Sequence, residues 1–248
     1  MPLLSRALLI AGLVAGISLA GPSAEERSAL AQQDLVEEGR TLFETSCASC
    51  HGPDGSGGEF GPSLEDAGAA AADFQLRTGR MPLADPDAQA ARNEPLFTPG
   101  QIEALVAFVD SLGNGPDIPD VDLEGADLAV GQFVFQSNCA PCHGSTGNGG
   151  AAGSRALAPG LYRSEPLDVA EAVITGPGQM PKFGFDDAER NDLVAYITFL
   201  QRQSPPGGAS LGGVGPVPEG FAAWLIGTAA LTLICFVLGR KRLRGGRP

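Results

Sequence analysis

The sequence predicts an all-α chain with two similar helical domains in tandem and one transmembrane helix after them. Three observations predict this arrangement: a repeated pattern of helices, two copies of a cysteine–histidine motif, and a charge-free apolar run near the C-terminus. A length of 248 residues suits one or two domains. The 35 glycines and 20 prolines indicate loops between short helices.

The helical pattern occurs twice along the chain, which indicates an internal repeat. Each unit opens on a Gly-x-x-x-Phe helix, at Gly39 and again at Gly131, at the same distance before a cysteine. Each unit closes on a similar apolar helix, Leu-Val-Ala-Phe-Val at 105–109 and Leu-Val-Ala-Tyr-Ile at 193–197. The loop-rich middles differ in length. We therefore expect two related domains.

The domain boundaries follow from these repeats and from composition. Pro116 and Pro119, among several acidic residues, indicate an exposed linker between the domains. The predicted order is a signal peptide or N-terminal anchor at 1–20, the first domain at 34–113, a linker at 114–126, the second domain at 127–204, a Pro/Gly linker at 205–220, a transmembrane helix at 221–239 and a basic cytoplasmic tail at 240–248.

Local signals place the two closing helices. In the first, Thr98 is the predicted N-cap, Pro99 suits the first turn and Gln101 completes a capping box. In the second, Asp186 and Glu189 form the start signal. The predicted buried faces carry Ile102, Leu105, Val106 and Val109 in the first helix, and Leu193, Ile197 and Leu200 in the second.

The glycine of each opening helix predicts a close helix crossing. Glycine inside a helix costs about 1 kcal/mol relative to alanine. Its recurrence at Gly39 and Gly131 therefore suggests close packing against another helix, for which the closing helix of the same unit is the expected partner.

The two ends of the chain carry targeting and membrane signals. Arg6 precedes an apolar run at 7–20 that ends in small residues, which predicts an export signal, with an uncleaved anchor as the alternative. The charge-free run at 221–239 is long enough to cross a membrane. The basic residues after it predict a cytoplasmic C-terminus, and Trp224 fits the outer interface. Cys235, inside this run, is expected to be an apolar packing residue.

The charge of the chain is concentrated in the exported part. The net charge is −13, and all 29 acidic residues lie between the two terminal apolar runs. Such a surface argues against nucleic acid or anionic lipid as a ligand, and favours docking to cationic partner surfaces. The alternative is that the acidity only keeps the exported part soluble.

The repeated motif carries the chemistry. Cys-x-x-Cys-His occurs with Cys47, Cys50 and His51, and returns as Cys139-Ala-Pro-Cys142-His143. This pattern is typical of covalent attachment of haem c, in which two thiols form thioethers to the porphyrin and the histidine binds iron. Each domain is therefore predicted to be a small helical cytochrome c fold that binds one haem c.

Two methionines are the candidate sixth ligands of iron. Besides the initiator, the chain contains only Met81 and Met180, one in each unit and each before a proline. A lone methionine is ordinarily core filler, but this repetition favours axial ligation. The only histidines are the two in the motifs, so bis-histidine ligation within the chain is excluded. Both centres are expected to be six-coordinate and high in potential, which suits electron transfer rather than peroxidase chemistry.

Proline and glycine segments after each motif predict the surroundings of the histidines. The carbonyl of Pro62 or Pro159 is a candidate acceptor for the second imidazole N–H, although both prolines also suit ordinary turns. Glycine runs at 55–58 and 147–150 lack the Lys-Ser/Thr of a phosphate loop. They are expected to line the haem edge.

Two other interpretations of the cysteines are possible. The Cys-x-x-Cys pairs have ligand chemistry suited to zinc, and an exported chain permits disulfides. Neither explains the histidine after each pair or the two Met-Pro dipeptides.

Four further segments make the pattern more specific: Gly-Pro-Ser-Leu at 61–64, Phe-Gln-Leu-Arg-Thr-Gly-Arg-Met-Pro at 74–82, Thr-Gly-Pro-Gly-Gln-Met-Pro-Lys-Phe at 175–183 and Leu-Gly-Gly-Val-Gly-Pro-Val-Pro-Glu-Gly at 211–220. With them, the chain resembles the dihaem cytochrome c subunit of menaquinol-oxidising cytochrome bcc complexes of Gram-positive type. The resemblance covers nearly all of the exported part and the C-terminal tail.

The resemblance implies a place in a respiratory chain. The two haem domains would take electrons from the Rieske iron–sulfur subunit, beside cytochrome b, and pass them to the terminal oxidase in a supercomplex. Quinol would be oxidised on the neighbouring subunits, so this subunit of a quinol–cytochrome c reductase would have no catalytic residues. Carried over by position, the ligands are Cys47, Cys50, His51 and Met81 for one haem, and Cys139, Cys142, His143 and Met180 for the other.

Two alternative functions stay open on the residues alone. One is a dihaem electron donor to another respiratory dehydrogenase or to a haem-copper oxidase. The other is a catalytic dihaem enzyme, which would need an iron open to a substrate.

Overall fold

The computed structural model describes residues 23–153, 155–203 and 216–245. The predicted signal or anchor at 1–20 lies outside these ranges, as does most of the predicted linker at 205–220. The chain divides into two compact units between Asp117 and Ile118. Each unit has its own hydrophobic core.

The first unit is built from four helices, α1 (Ala24–Ser46), α2 (Ala48–His51), α3 (Gly68–Arg77) and α4 (Pro99–Asp110). Its core includes Phe43 from α1 and Leu105 and Phe108 from α4. The rings of Phe43 and Phe108 lie 5.0 Å apart, centroid to centroid. Helix α4 is therefore the central element, with α1 and α3 packed against it.

The signals for α4 are confirmed. Thr98 and Gln101 form the capping box, and Pro99 occupies the first turn. The predicted apolar face is buried along its length: Ile102, Leu105, Val106 and Val109. The helix begins where its cap satisfies the first backbone N–H groups, and it is held by the face that it buries.

The second unit repeats this plan with additional elements. It contains α5 (Leu128–Val134), a π-helical turn (Phe135–Cys139), α6 (Ala140–His143), strands β1 (Gly150–Gly153) and β2 (Ala156–Ala158), α7 (Pro166–Thr175) and α8 (Asp187–Arg202). The ring of Phe135 lies 5.6 Å from that of Tyr196. Asp186 and Glu189, the predicted start signal of α8, form a capping box. Leu193 and Ile197 are buried, and Leu200 packs against the same core.

The close helix crossings predicted from the glycines are confirmed. A Cβ atom on Gly39 would lie 1.9 Å from the carbonyl oxygen of Ala104, and one on Gly131 would lie 2.0 Å from that of Asp192. Both contacts are with the closing helix of the same unit. No side chain larger than hydrogen fits at either position without moving a helix.

The second unit departs from the all-α prediction at two places. Strands β1 and β2 pair antiparallel, although the chain remains mostly helical. The opening helix also changes to a π-helical turn before Cys139. Here the side-chain amide of Asn138 donates to the carbonyl oxygen of Val134 at 2.9 Å, the acceptor that an α-helical backbone N–H of residue 138 would use. This competition accounts for the local change in helix type.

The segment 114–126 has no helix or strand, and parts of it are packed. The backbone N–H of Ala70 donates to the carbonyl of Pro116 at 3.0 Å. Val121 and Leu123 contact the second core. No residue of the segment is fully buried, and each of its ends contacts one unit.

Near the C-terminus, α9 (Pro216–Gly245) is one continuous helix. Its stretch Gly220–Arg240 has 21 residues and a mean hydropathy of 2.3. By length and composition it is the one helix in the described part of the chain that is able to span a membrane. It contains the run predicted at 221–239.

Candidate haem sites

The cysteines and histidine of the first motif lie on one short turn. The carbonyl of Cys47 accepts backbone hydrogen bonds from Cys50 at 3.1 Å and from His51 at 3.0 Å. Both thiols and the imidazole are thus brought together directly after α1. Gly52, at a φ of 79°, then turns the chain into the glycine-rich loop, a conformation that favours glycine.

The imidazole of His51 is oriented by a backbone carbonyl. Its Nδ1 atom lies 2.9 Å from the carbonyl oxygen of Pro62. Because a carbonyl only accepts, Nδ1 carries the proton and Nε2 keeps its lone pair for a metal. The surrounding loop is fixed by Gly57 N–H donating to His51 O at 2.7 Å and Leu64 N–H donating to Gly55 O at 2.8 Å. The predicted hydrogen bond between the imidazole and the proline carbonyl is confirmed.

The second motif has the same hydrogen bonds. Nδ1 of His143 lies 2.9 Å from the carbonyl oxygen of Pro159. Gly149 N–H donates to His143 O at 2.8 Å, and Leu161 N–H donates to Gly147 O at 2.8 Å. The arrangement around the histidine is therefore repeated bond for bond.

The loops that carry the two prolines differ in length but converge on one geometry. Pro62 follows His51 by 11 residues, whereas Pro159 follows His143 by 16. The longer loop contains the β1–β2 hairpin. A Cβ atom on Gly150, the first residue of β1, would lie 3.1 Å from the carbonyl oxygen of Cys142, so the hairpin starts against the motif. The insertion leaves the histidine's acceptor unchanged.

Each candidate methionine packs with the motif of its own unit. Met81 and Cys47 are partly buried against the first core. Met180 is partly buried against the second core, to which Cys139 belongs. In each unit a methionine thioether and a motif thiol border the same core, and the motif imidazole keeps Nε2 available for a metal. The residues present therefore fit a haem held by cysteine, histidine and methionine.

The first thiol of each motif is shielded from solvent, which raises its pKa. Burial, reinforced by the neighbouring Cys50, raises the pKa of Cys47 to about 11. Burial and the neighbouring Cys142 raise the pKa of Cys139 to about 11. Within the described ranges, no three His, Cys, Asp or Glu side chains are grouped as a metal site.

The loop before Met81 lies in the segment 74–82, and its hydrogen bonds are ones that the sequence did not predict. The carbonyl of Gln75 accepts the backbone N–H groups of Arg80 at 2.9 Å and of Met81 at 3.1 Å. Thr78, only 1% exposed, donates its hydroxyl to the carbonyl of Phe74. Its own carbonyl accepts Asn93 N–H at 3.1 Å. No spacing or periodicity marks these residues, because they act through the backbone of an irregular loop.

Two protein-family models match the chain. The model described as cytochrome c matches residues 36–113. The model described as cytochrome c oxidase, cbb3-type, subunit III matches residues 126–197. Taken with the repeated fold and the two Cys-x-x-Cys-His turns, these matches define a c-type cytochrome with two covalently bound haem c groups, which functions in electron transfer.

Similar proteins identify the family more closely. The chain is 40% identical over 254 residues to the cytochrome bc1 complex cytochrome c subunit of Mycobacterium tuberculosis, covering 96% of this chain and 89% of that protein. It is 36% identical over 261 residues to the subunit of the same name from Corynebacterium diphtheriae, covering 96% and 93%. The chain belongs to the family of cytochrome c subunits of cytochrome bc1 complexes, which confirms the resemblance seen in the sequence.

Among solved structures, the reducing HAO-like protein complex of Kuenenia stuttgartiensis is similar at 20% identity, with a TM-score of 0.39. The match covers 66% of this chain and 96% of that chain. A likeness this distant adds no argument about fold or function.

Proposed function

We propose that this chain relays electrons from the Rieske and cytochrome b subunits of a menaquinol-oxidising reductase to a terminal oxidase. Both redox centres sit in the part of the chain that precedes α9. The chain itself has no substrate site in this proposal; quinol is oxidised on the neighbouring subunits.

One observation carries the proposal: the same ligand geometry is built twice. Each unit orients a histidine through Nδ1 at 2.9 Å from a proline carbonyl and packs one methionine against the same core. The proposed ligands are Cys47, Cys50, His51 and Met81 for the first haem, and Cys139, Cys142, His143 and Met180 for the second. Two centres with the same ligands favour an electron relay. An enzyme would instead need one centre that binds substrate beside one that transfers electrons.

The side chains of the chain perform the positioning that electron transfer needs. Bound haem supplies a one-electron centre between ferric and ferrous states. The proline carbonyls hold the imidazoles in one tautomer and increase their basicity. Met81 and Met180 would bind the iron through sulfur, a ligand that would favour ferrous iron and raise the potential. A fixed ligand pair in both redox states keeps rearrangement small during transfer.

The proposed orientation in the membrane follows from the two ends of the chain. Helix α9 spans the membrane, with the basic residues after it in the cytoplasm. The predicted domains at 34–113 and 127–204 lie outside, delivered by the segment at 1–20. Protease added to intact spheroplasts should digest both domains and spare a C-terminal tag. Protection of the domains would contradict this orientation.

The acidic exported part supports docking to other proteins. All 29 acidic residues lie there, so a partner with a cationic face would be attracted at low ionic strength. We propose that the oxidase is such a partner, held in a supercomplex with the reductase.

Purification through a C-terminal tag on this chain tests the proposal. Under mild detergent, cytochrome b and Rieske subunits should copurify, and the reduced spectrum should show haem b with haem c. Addition of a menaquinol analogue should reduce the haem c of the sample, and a Rieske-site inhibitor should prevent this. Purification of this chain with neither the cytochrome b subunit nor the Rieske subunit would contradict the proposal.

A second candidate is an electron-donor subunit of a haem-copper oxidase. The match of residues 126–197 to subunit III of cbb3-type oxidase favours it. The same purification distinguishes the two, because this candidate predicts a catalytic oxidase subunit and haem c reduction that is insensitive to the Rieske-site inhibitor.

A further inference from the structure

Helix α8 carries a side-chain amide that reaches the loop beside His143. Gln201, in the last turn of α8, donates from Nε2 to the carbonyl oxygens of Leu161 at 2.7 Å and Ser164 at 2.8 Å. The two hydrogens of one amide nitrogen match the two carbonyls. Leu161 lies two residues after Pro159, whose carbonyl accepts the imidazole hydrogen bond. The amide therefore joins a core helix to the turn that follows the histidine's acceptor.

This turn is continuous with the hydrogen bonds around the histidine. Ser164 N–H donates to Leu161 O at 3.1 Å, which closes the turn, and Leu161 N–H donates to Gly147 O at 2.8 Å. A Cβ atom on Gly149 would lie 2.8 Å from the carbonyl carbon of Pro159. The glycine loop and the proline segment are thus in direct contact. A displacement of residues 161–164 would therefore also displace Pro159.

The first unit forms the same turn through backbone hydrogen bonds. Leu64 N–H donates to Gly55 O at 2.8 Å, and Ala67 N–H donates to Leu64 O at 3.0 Å. These bonds correspond to the pair made by Leu161 and Ser164 in the second unit. The turn at 64–67 in the first unit therefore corresponds to the turn at 161–164 in the second unit.

Gly113 occupies the position of Gln201 in the first unit, since the matching apolar runs begin at Leu105 and Leu193. A Cβ atom on Gly113 would lie 1.6 Å from the carbonyl oxygen of Glu65. The chain after α4 therefore packs directly on the turn, backbone against backbone. In the second unit the two are further apart, and the Gln201 side chain bridges them.

We propose that Gln201 is a positioning residue for the second haem alone. It holds the 161–164 turn against α8, which keeps the Pro159 carbonyl on Nδ1 of His143. This inference rests on the proposed role of His143 as an axial ligand. Since that hydrogen bond makes the imidazole a stronger donor and favours ferric iron, loss of the amide raises the potential of the second haem.

Two variants and one matched control test the proposal in the intact complex. Gln201→Leu removes the donor, and Gln201→Glu places a carboxylate against two carbonyls. Gln203→Leu is the control, because within the described part of the chain the Gln203 side chain donates to Phe199 O of the adjoining helix, at 3.4 Å. Potentiometric titration should show a raised second-haem potential in Gln201→Leu, with the first haem and the Gln203 variant unchanged. In Gln201→Glu the added negative charge favours ferric iron and opposes this rise, so that variant is measured by hydrogen exchange. The second haem is identified as the one that Cys139→Ala lacks.

Hydrogen exchange supplies a readout that does not depend on iron. Exchange of the peptide covering 159–164 should be several-fold faster in both Gln201 variants and unchanged in Gln203→Leu. Unchanged exchange, an unchanged second-haem potential in Gln201→Leu, or an equal shift of both haems would each overturn the proposal. A wrong assignment of His143 as the axial ligand would give a different result. In that case His143→Ala would leave the second-haem spectrum intact, while hydrogen exchange would still be faster in the Gln201 variants.

Discussion

A Cβ atom on Gly39 would stand 1.9 Å from the carbonyl oxygen of Ala104, closer than any non-bonded carbon and oxygen approach. The same glycine position also faces Cβ of Phe108, at 2.8 Å. The opening and closing helices of the first unit therefore touch through backbone. This contact sets how closely α1 packs on α4, and α1 ends at Ser46, directly before Cys47.

We predict that Gly39→Ala destabilises the first unit. Overpacking of this kind costs about 1–3 kcal/mol, because the added methyl group must separate α1 from α4. The thermal unfolding midpoint of the first unit should fall, and haem attachment at Cys47 should decrease. Scanning calorimetry and haem staining after denaturing electrophoresis measure the two effects.

Gly100→Ala is the matched control for this change. Gly100 lies in α4 with nothing within 4 Å of the added atom. Alanine is favoured over glycine in a helix by about 1 kcal/mol, so this variant should be neutral or slightly more stable. Equal stability of the Gly39 and Gly100 variants would show that the helices do not need the close crossing.

Much of the scaffold could be predicted from sequence because it depends on local rules. The capping boxes at Thr98 and Asp186, the buried faces of α4 and α8 and the glycine crossings all follow from short-range pattern and side-chain size. Each of these signals occurs in both units, which supports each prediction independently. The proline acceptors were also predictable, since Pro62 and Pro159 each follow a motif histidine by less than twenty residues.

The remaining features depend on contacts that are distant in sequence or on small local competitions. The β1–β2 hairpin forms inside a loop of glycine and alanine, which carries no strand periodicity. The π-helical turn before Cys139 results from one Asn138 hydrogen bond. Gln201 lies 40 residues from Leu161, and nothing in its own segment distinguishes it from Gln203. The role of Gln201 can be recognised only in the structure, where α8 and the turn at 161–164 lie side by side.

Gly61→Ala should alter the first haem and leave the second unchanged. The added Cβ atom would lie 3.0 Å from Nδ1 of His51 and 2.9 Å from the carbonyl oxygen of Cys50. It would push Pro62 away from the imidazole and weaken the hydrogen bond between them. Because outer-shell partners alter metal sites by about 10- to 100-fold, we expect the first-haem reduction equilibrium to move about tenfold toward ferrous iron.

Potentiometric titration of both haems measures this effect. Gly184→Ala, in the second unit with nothing within 4 Å of the added atom, is the control and should leave both potentials unchanged. A first-haem potential that stays the same in Gly61→Ala would argue against the carbonyl as a determinant of His51.

Cys47→Ala and Cys139→Ala should each lose one haem and reduce accumulation of the protein. Small domains bury too little surface to fold robustly alone, and each motif lies on the face that its haem would complete. Haem staining and immunoblotting of membranes measure the two losses. Cys235→Ala is the control, because Cys235 is exposed on α9 and should affect neither. Normal accumulation of a folded chain without one haem would contradict the dependence on haem.

Met81→Ala and Met180→Ala should each open one iron to an external ligand. Methionine is the proposed sixth ligand of both haems, and alanine offers no donor atom in its place. Ferrous carbon monoxide difference spectra should show binding to about half of the haem c in either variant, to little in the unaltered protein and to nearly all in the double variant. The potential of the altered haem should fall, because thioether ligation is what raises it.

Met81→His and Met180→His separate the effect of ligation from the effect of packing. Histidine restores a donor atom, so carbon monoxide binding should again be low while the potential remains lowered. Carbon monoxide binding to one haem of the unaltered protein would show that this iron is open, and would favour a catalytic role for that unit.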